Sequence, residues 1–480
     1  MCGIVGIVSQ TPVNQLIYDA LQLLQHRGQD AAGSATSSNG KFAMFKANGL
    51  VRDVFRTRNM RALPGNCGIG HVRYPTAGSA KNEEEAQPFY VNAPFGITFA
   101  HNGNLTNCEQ LKGEMFKNDR RHINTNSDSE VLLNVLAHEI QEATSGYSLD
   151  PAALFKAVSI LHKRVRGAYA AVAHITDAGI LAFRDPYGIR PLCIGFAETD
   201  KGTEYMVASE SVALEGLGFR FLRDVMPGEA IFIDIEGNLY NQQCAENPSL
   251  NPCIFEYVYL ARPDSLIDGA SVYATRLKMG EHLADKIKRQ VSTGDIDVVM
   301  PIPDSSRPAA IQLALKLGIE YREGLIKNRY IGRTFIQSSQ RQREHSVKIK
   351  LNALKASVDG KRVVLIDDSI VRGTTSAKII QMLKDSGARE VHMRISAPPF
   401  KNPCYFGTDV DSRENLIACH MSVEEIRQKI GADSLDYLSI ENMRKIAIGC
   451  GKGLCEGCFT GVYPIEVPEE VHKDQFERCR

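Results

Sequence analysis

The sequence has no net charge: 56 lysines and arginines balance 56 acids across 480 residues. Such a balance offers no field to attract nucleic acid or an anionic membrane, so neither is expected as a partner. No stretch reaches the eighteen or so apolar residues that a membrane span requires. The opening MCGIVGIVSQ lacks the basic start of a secretory signal. A cytoplasmic protein is expected. No G-x-x-x-x-G-K-[ST] occurs, which excludes a P-loop, and there is no internal repeat, low-complexity tract or basic DNA-binding segment. In a cytoplasmic chain twelve cysteines should be reduced thiols rather than a disulfide framework. Cys67, Cys108, Cys193, Cys244 and Cys419 read as ordinary buried or surface residues.

The length suggests about two to four domains. The first half has short β-like runs (CGIVGIV, CGIGHVRY, FGITFAHNG, YAAVAHI, GILAFRD, EAIFIDI) and two stretches with helical apolar spacing, NQLIYDALQLLQHR and SEVLLNVLAHEIQEA. Layered sheets with helices outside are expected there. A polar, Pro- and Asn-containing segment at 236–252 marks a boundary, giving domains 2–238 and 239–480. The second half alternates strand and helix, with Gly318 and Gly387 as stop signals, and reads as a parallel α/β sheet binding ligands at its carboxyl edge.

In VVLIDDSIVRGTTSAKII an apolar strand delivers Asp367 and Asp368. Gly373 and the hydroxyls of Thr374, Thr375 and Ser376 follow at a helix start. Backbone N–H groups and the helix dipole there suit a phosphate monoester, and two acids just upstream suit sugar hydroxyls or Mg²⁺. This pattern resembles the signature of the type I phosphoribosyltransferases, which bind 5-phosphoribosyl-1-pyrophosphate (PRPP). The resemblance implies that Asp367 and Asp368 hold the ribose hydroxyls and Mg²⁺. Ser369, Val371, Arg372, Gly373, Thr374, Thr375 and Ser376 belong to the same loop, of which 371–376 would hold the 5-phosphate. PIPDSSRPAA matches the family's pyrophosphate loop, with Ser305 near the metal and Arg307 close by. The polar segment between the two phosphate sites reads as a lid, offering Lys327, Arg333 and Lys350 as phosphate contacts.

The other end poses a different question. If Met1 is removed, Cys2 carries a thiol and a free α-amino group, a nucleophile with its own base. Arg73 in GHVRYPTAG can clamp a carboxylate. Asn102 and Gly103 in AHNGNL suit an oxyanion hole. Asp128 in TNSDSE can pair with an ammonium, and Arg27, Gly28 and Asp30 lie near the nucleophile. Singly, each has a plainer reading: a surface ion pair, a turn, a helix N-cap. Together they resemble the N-terminal-nucleophile (class II) glutamine amidotransferases. That family implies an αββα sandwich, a γ-glutamyl thioester on Cys2, Arg73 and Asp128 on the α-carboxylate and α-amino groups of glutamine, and Asn102 and Gly103 on the oxyanion.

A glutaminase half joined to a PRPP half implies that ammonia made at Cys2 displaces pyrophosphate at C1 of PRPP. The product is 5-phosphoribosylamine, the first step of purine (IMP) biosynthesis, and the junction segment CIFEYVYLARPDSLIDG, with Tyr259, fits the same family. The resemblance also implies a homotetramer with AMP and GMP as feedback inhibitors. GCGKGLCEGCFTGVYP has the C-x₄-C-x₂-C spacing of metal or cluster sites, and Cys253 and Cys404 lie in stretches matching an iron–sulfur subgroup. That resemblance pairs Cys253, Cys404, Cys455 and Cys458 around one [4Fe–4S] cluster, with Cys450 left over. A Cys₄ zinc site and unligated core cysteines are the alternatives. Glucosamine-6-phosphate synthase and asparagine synthetase share the first half but have no need of LIDDSIVRGTTS. A PRPP-sensing regulator has no need of Cys2, Arg73, Asn102 and Asp128.

Overall fold

The computed structural model describes residues 1–74, 83–146, 149–290, 295–328, 351–408, 410, 412–446 and 453–468. Strand β1 (Gly3–Val8) is apolar at nearly every position because both of its faces are covered. Ile4 and Val8 fill the space between two sheets, whereas Val5 and Ile7 pack beneath helix α1 (Asn14–Leu23). β1 sits mid-sheet, antiparallel to Gly202–Ala208 on one side and to β2 (Cys67–Arg73) on the other. Ala31–Ser38 and Lys41–Asn48 extend the sheet beyond β2; Cys193–Thr199 and Arg220–Asp224 extend it at the other edge.

The second sheet is also antiparallel, in the order Leu239–Gln243, Glu229–Asp234, Gly179–Arg184, Gly167–Ile175, β3 (Ile97–Leu105) and Phe89–Val91. Helices α2 (Asp128–Ala143) and α3 (Pro151–Arg164) cover its outer face with Leu132, Val135, Leu136, Leu154 and Leu161. The layers are therefore helix, sheet, sheet, helix, as expected for this half. The last strand, Leu239–Gln243, lies just past the 238/239 division and still pairs with Glu229–Asp234.

The second half is a five-stranded parallel sheet in the order Glu320–Tyr321, β4 (Val298–Pro301), β5 (Arg362–Asp367), Glu390–Ile395 and Ser434–Tyr437. Helix α4 (Arg307–Leu317) follows β4 and stops at Gly318, whose φ of 71° an L side chain disfavours. Helix α5 (Thr374–Asp385) follows β5, so Asp367 stands at the carboxyl edge where parallel sheets bind ligands. Among the described residues no helix is long and apolar enough to cross a membrane.

Candidate functional site

The register pairing Gly3 with Val72 brings Cys2 opposite Arg73, at the end of β2. The facing sheet supplies Asn102 and Gly103 near the end of β3. The Cys2 backbone N–H donates to Asn102 Oδ1 at 3.0 Å, and its carbonyl accepts from Arg27 Nε at 3.0 Å. The Cys2 Sγ lies 3.7 Å from the Tyr74 carbonyl oxygen. Asn102 is fully buried, and its Nδ2 has no hydrogen-bond partner. One side chain thus fixes the Cys2 nitrogen at one end and leaves a buried donor unpartnered at the other. Met1, ahead of Cys2, is 3% exposed, and burial lowers its amine to about 5.

Gly103 has φ 151°, and a Cβ there would stand 1.9 Å from the Ala168 carbonyl oxygen, so no side chain fits. Gly28 is similarly confined by the Arg73 backbone, and the Asp30 N–H donates to the Arg73 carbonyl at 3.1 Å. Arg73 is buried and bonds Glu85 Oε2 at 2.7 Å, so it is an interior pair rather than a surface one. Asp128 is not the helix cap. Ser127 caps α2, and Asp128 Oδ2 accepts from the Leu105 N–H at 3.1 Å beside the oxyanion strand.

Several groups that orient this site went unread in the sequence. Arg27 also donates to Glu210 and, at 2.8 Å, to Glu256. Burial alone would raise the Glu210 carboxyl, but His26 and Arg27 hold it well below the usual range. The junction segment closes on the same acid: the Arg262 N–H and the Ser265 hydroxyl donate to Glu210 Oε2 at 3.0 and 2.6 Å. Arg190, fully buried, lies 3.8 Å from Glu256. Tyr259 in that segment is half exposed. Removing one partner from such a buried network typically costs about 3–5 kcal/mol. The Arg27 contacts join residues 183 and 229 positions apart and the Glu210 contacts of the junction segment 52 and 55, and no local spacing signals them.

In the second half, burial pushes both Asp367 and Asp368 upward, and the Asp368 charge adds to the effect on Asp367. Asp368 accepts from Ser305 Oγ and Ser369 Oγ, each at 2.5 Å, and its N–H donates to Asp367 Oδ1 at 2.9 Å. The structure therefore brings Ser305 onto the acid pair. Gly373, φ 76°, precedes α5 at its N-terminus, and a Cβ there would press on Ile417. The Val371 carbonyl accepts from the Ile417 N–H at 3.0 Å. Arg372, Thr374 and Thr375 are exposed and Ser376 is buried, and the N-terminus of α5 has no side-chain cap. Lys327 pairs with Asp304 at 3.1 Å, and Arg307 bonds Asp304 and, at 2.9 Å, Glu323. Arg333, Lys350 and Cys450 lie outside the described residues.

Three chain segments bring Cys253, Cys404, Cys455 and Cys458 together. Cys455 N–H donates to the Pro252 carbonyl at 3.0 Å, and the Ile254 N–H donates to the Cys455 carbonyl at 3.2 Å. The Lys401 and Asn402 N–H groups donate to the Cys458 carbonyl at 3.0 and 3.1 Å, and the Phe406 N–H points at Cys404 Sγ, 3.4 Å away. Burial pushes the Cys455 and Cys458 thiols well up, and the neighbouring cysteines add to it. All four are free thiols. Among the described residues no three His, Cys, Asp or Glu side chains converge tightly enough to gather a single metal ion.

A family model described as a glutamine amidotransferase domain matches residues 73–216, and one described as a phosphoribosyl transferase domain matches residues 271–405. Over its whole length the chain is similar to proteins named amidophosphoribosyltransferase. It is 56% identical over 485 residues to that of Escherichia coli K12, covering 100% of this chain and 96% of the relative. It is 54% identical over 486 residues to that of Pseudomonas aeruginosa, with the same coverage. The Saccharomyces cerevisiae protein is 46% identical over 493 residues, covering 100% of this chain and 95% of the relative. Among solved structures it is similar to the glutamine PRPP amidotransferase from B. subtilis complexed with ADP and GMP. There the TM-score is 0.85 at 42% identity, covering 98% of each chain.

Proposed function

The chain belongs to the amidophosphoribosyltransferase family, and from that premise we propose how its residues divide the reaction. Cys2, freed of Met1, attacks the side-chain carbonyl carbon of glutamine through Sγ. The α-amino group, held by Asn102 Oδ1, takes the thiol proton and returns it to the departing ammonia. Asn102 Nδ2 and the Gly103 N–H receive the oxyanion. Arg73 binds the substrate carboxylate and Asp128 its ammonium. Water then hydrolyses the thioester to glutamate. The ammonia attacks C1 of PRPP, the C1–O bond to pyrophosphate breaks, and 5-phosphoribosylamine forms, the opening step of purine biosynthesis.

In the second half, Asp367 and Asp368 take the ribose hydroxyls, the 371–376 loop the 5-phosphate, and Lys327, Arg333 and Lys350 the pyrophosphate side. A buried acid pair bonded only to hydroxyls and backbone suits a divalent cation. Asp367, Asp368 and Ser305 would hold Mg²⁺, which supplies neutralisation of the pyrophosphate leaving group. The four cysteines suit one [4Fe–4S] cluster of structural role. Their sulfurs act on one another electrostatically, and four thiolates are the usual complement of such a cluster. Iron and sulfide near four atoms of each per chain after anaerobic purification would support the cluster; zinc in their place would end it. The bound ADP and GMP of the B. subtilis relative support purine nucleotides as inhibitors, AMP and GMP among them; the family resemblance alone adds the cytoplasmic homotetramer.

The observation that carries the reading is the divided side chain of Asn102, with one end on the Cys2 nitrogen and the other buried and unpartnered. The test is glutamine hydrolysis with and without PRPP and Mg²⁺. Hydrolysis stimulated by PRPP is expected. Hydrolysis indifferent to PRPP would indicate another amidotransferase, and none at all a regulator.

A further inference from the structure

Strand β3 runs three residues past Asn102 before it ends, and there it meets the other half of the molecule. Asn104 Nδ2 donates to the Tyr405 carbonyl at 2.9 Å. Gly407 packs so closely on Gly103 that a Cβ at 407 would stand 2.8 Å from the Gly103 carbonyl oxygen and 3.1 Å from its Cα. Gly407 has φ 94°, a conformation that favours glycine. The flanking Phe406 is 1% exposed and Thr408 8% exposed, and Thr408 Oγ1 lies 3.5 Å from Arg190 Nη1. The segment is thus anchored on both sides of the contact.

Gly103 is therefore clasped between two backbones. The Gly167–Ile175 strand fixes it on one side, with Gly103 opposite Tyr169. The 404–408 loop of the phosphoribosyl half fixes it on the other. A peptide N–H stabilises an oxyanion only if its direction is set beforehand, and β3 is near its end here, where strand pairing alone restrains it least.

We propose that the 404–408 loop is a positioning element of the glutaminase oxyanion hole, with Gly407 as its contact on Gly103 and the Asn104–Tyr405 bond as its latch. The phosphoribosyl half then sets the rate of a reaction whose substrate it never touches. This rests on the glutaminase reading above, which fails separately if the unaltered enzyme hydrolyses no glutamine.

The test compares Gly407→Ala and Asn104→Ser with the parent in three assays on the full-length enzyme. The first two are steady-state glutamine hydrolysis and alkylation of Cys2 by iodoacetamide, which needs no oxyanion hole. The third is ammonia-dependent synthesis of phosphoribosylamine. In Gly407→Ala the glutaminase kcat should fall about 10-fold or more. KM, the alkylation rate and the ammonia-dependent rate should stay within about threefold, and Asn104→Ser should show the same split with a smaller fall. An unchanged kcat in folded variants overturns the proposal, as does a parallel loss of all three activities. If Gly407→Ala does not accumulate as folded protein, Asn104→Ser decides by the same criteria.

Discussion

The two ends of the molecule treat buried carboxylates in opposite ways. Around Cys2 each buried acid meets a cation: Glu85 meets Arg73, Glu210 meets His26 and Arg27, and Glu256 meets Arg27. In the second half Asp367 and Asp368 are also buried, but among the described residues their close partners are hydroxyls and backbone, and Arg276 acts on Asp368 through its field. The first arrangement is electrostatically complete without a ligand and holds its donors in place. Among the described residues the second pairs with no cation, and under the proposed function a bound cation and sugar would offset its burial cost, so occupancy should matter to its protonation and order. One site is built to be ready, the other to be filled.

The sharpest way to break this contrast is Cys2→Ala. Glutamine-dependent synthesis should fall by at least about 10³-fold while ammonia-dependent synthesis stays within about threefold, measured as phosphoribosylamine formed from each nitrogen source. Loss of both would mean the halves are not separable. Asp367→Asn probes the other side: formation of phosphoribosylamine should drop about 10²-fold or more, with basal glutaminase nearly untouched. Because the change removes a buried acid that meets no cation among the described residues and keeps an oxygen for the Asp368 N–H, the variant should melt no lower than the parent, and a clearly lower melting temperature would argue that Asp367 is an ordinary structural acid.

The smallest effect concerns the seam between the halves. Asp224 lies beside Asp268, which pairs with Arg184 at 2.7 Å, and it accepts from the Gly269 N–H at 3.1 Å. Burial, with the Asp268 charge added, raises Asp224 to about 6. Its folded value thus exceeds its unfolded one, near 3.9, so the folded state holds the proton more tightly. Stability from this group is present below about pH 4 and is lost as pH rises through about 6, a change of about 3 kcal/mol. Asp224→Asn should therefore raise the urea midpoint at pH 7 and leave it unchanged at pH 4. A lower midpoint at pH 7 would refute the assignment.

The sequence made the ribose site readable because one contiguous stretch, Asp367 to Ser376, passes from strand to phosphate loop to helix. The strands quoted from the first half were readable by their apolar runs, and β1, β2 and β3 occur where those runs fall. Ala31–Ser38 was not read as a strand: AAGSATSS has no large apolar residue, and its burial comes from a mid-sheet position beside β2. Helix α3 offered a good signal, Asp150 capping PAALFKAVSILHKR, that went unused. Arg73 and Asp128 were found by motif, but their partners Glu85 and the Leu105 N–H were not. Glu210, Glu256 and Gly407 give no local cue, because every partner named for them lies more than about fifty residues away in the chain and only folding supplies the neighbour.

One consequence of the sheet order concerns the order of events at the ribosome. β1 lies at the start of the chain but between strands, and one flank is closed only when Val5 meets Ala208. At about 5–20 residues per second, the ribosome needs about 10–40 s to deliver that partner. During that interval β1 can pair with β2 on one side only. Once the sheet closes, Met1 is 3% exposed and shut away. The layer that encloses Cys2 is thus completed only by a strand some two hundred residues further along the chain.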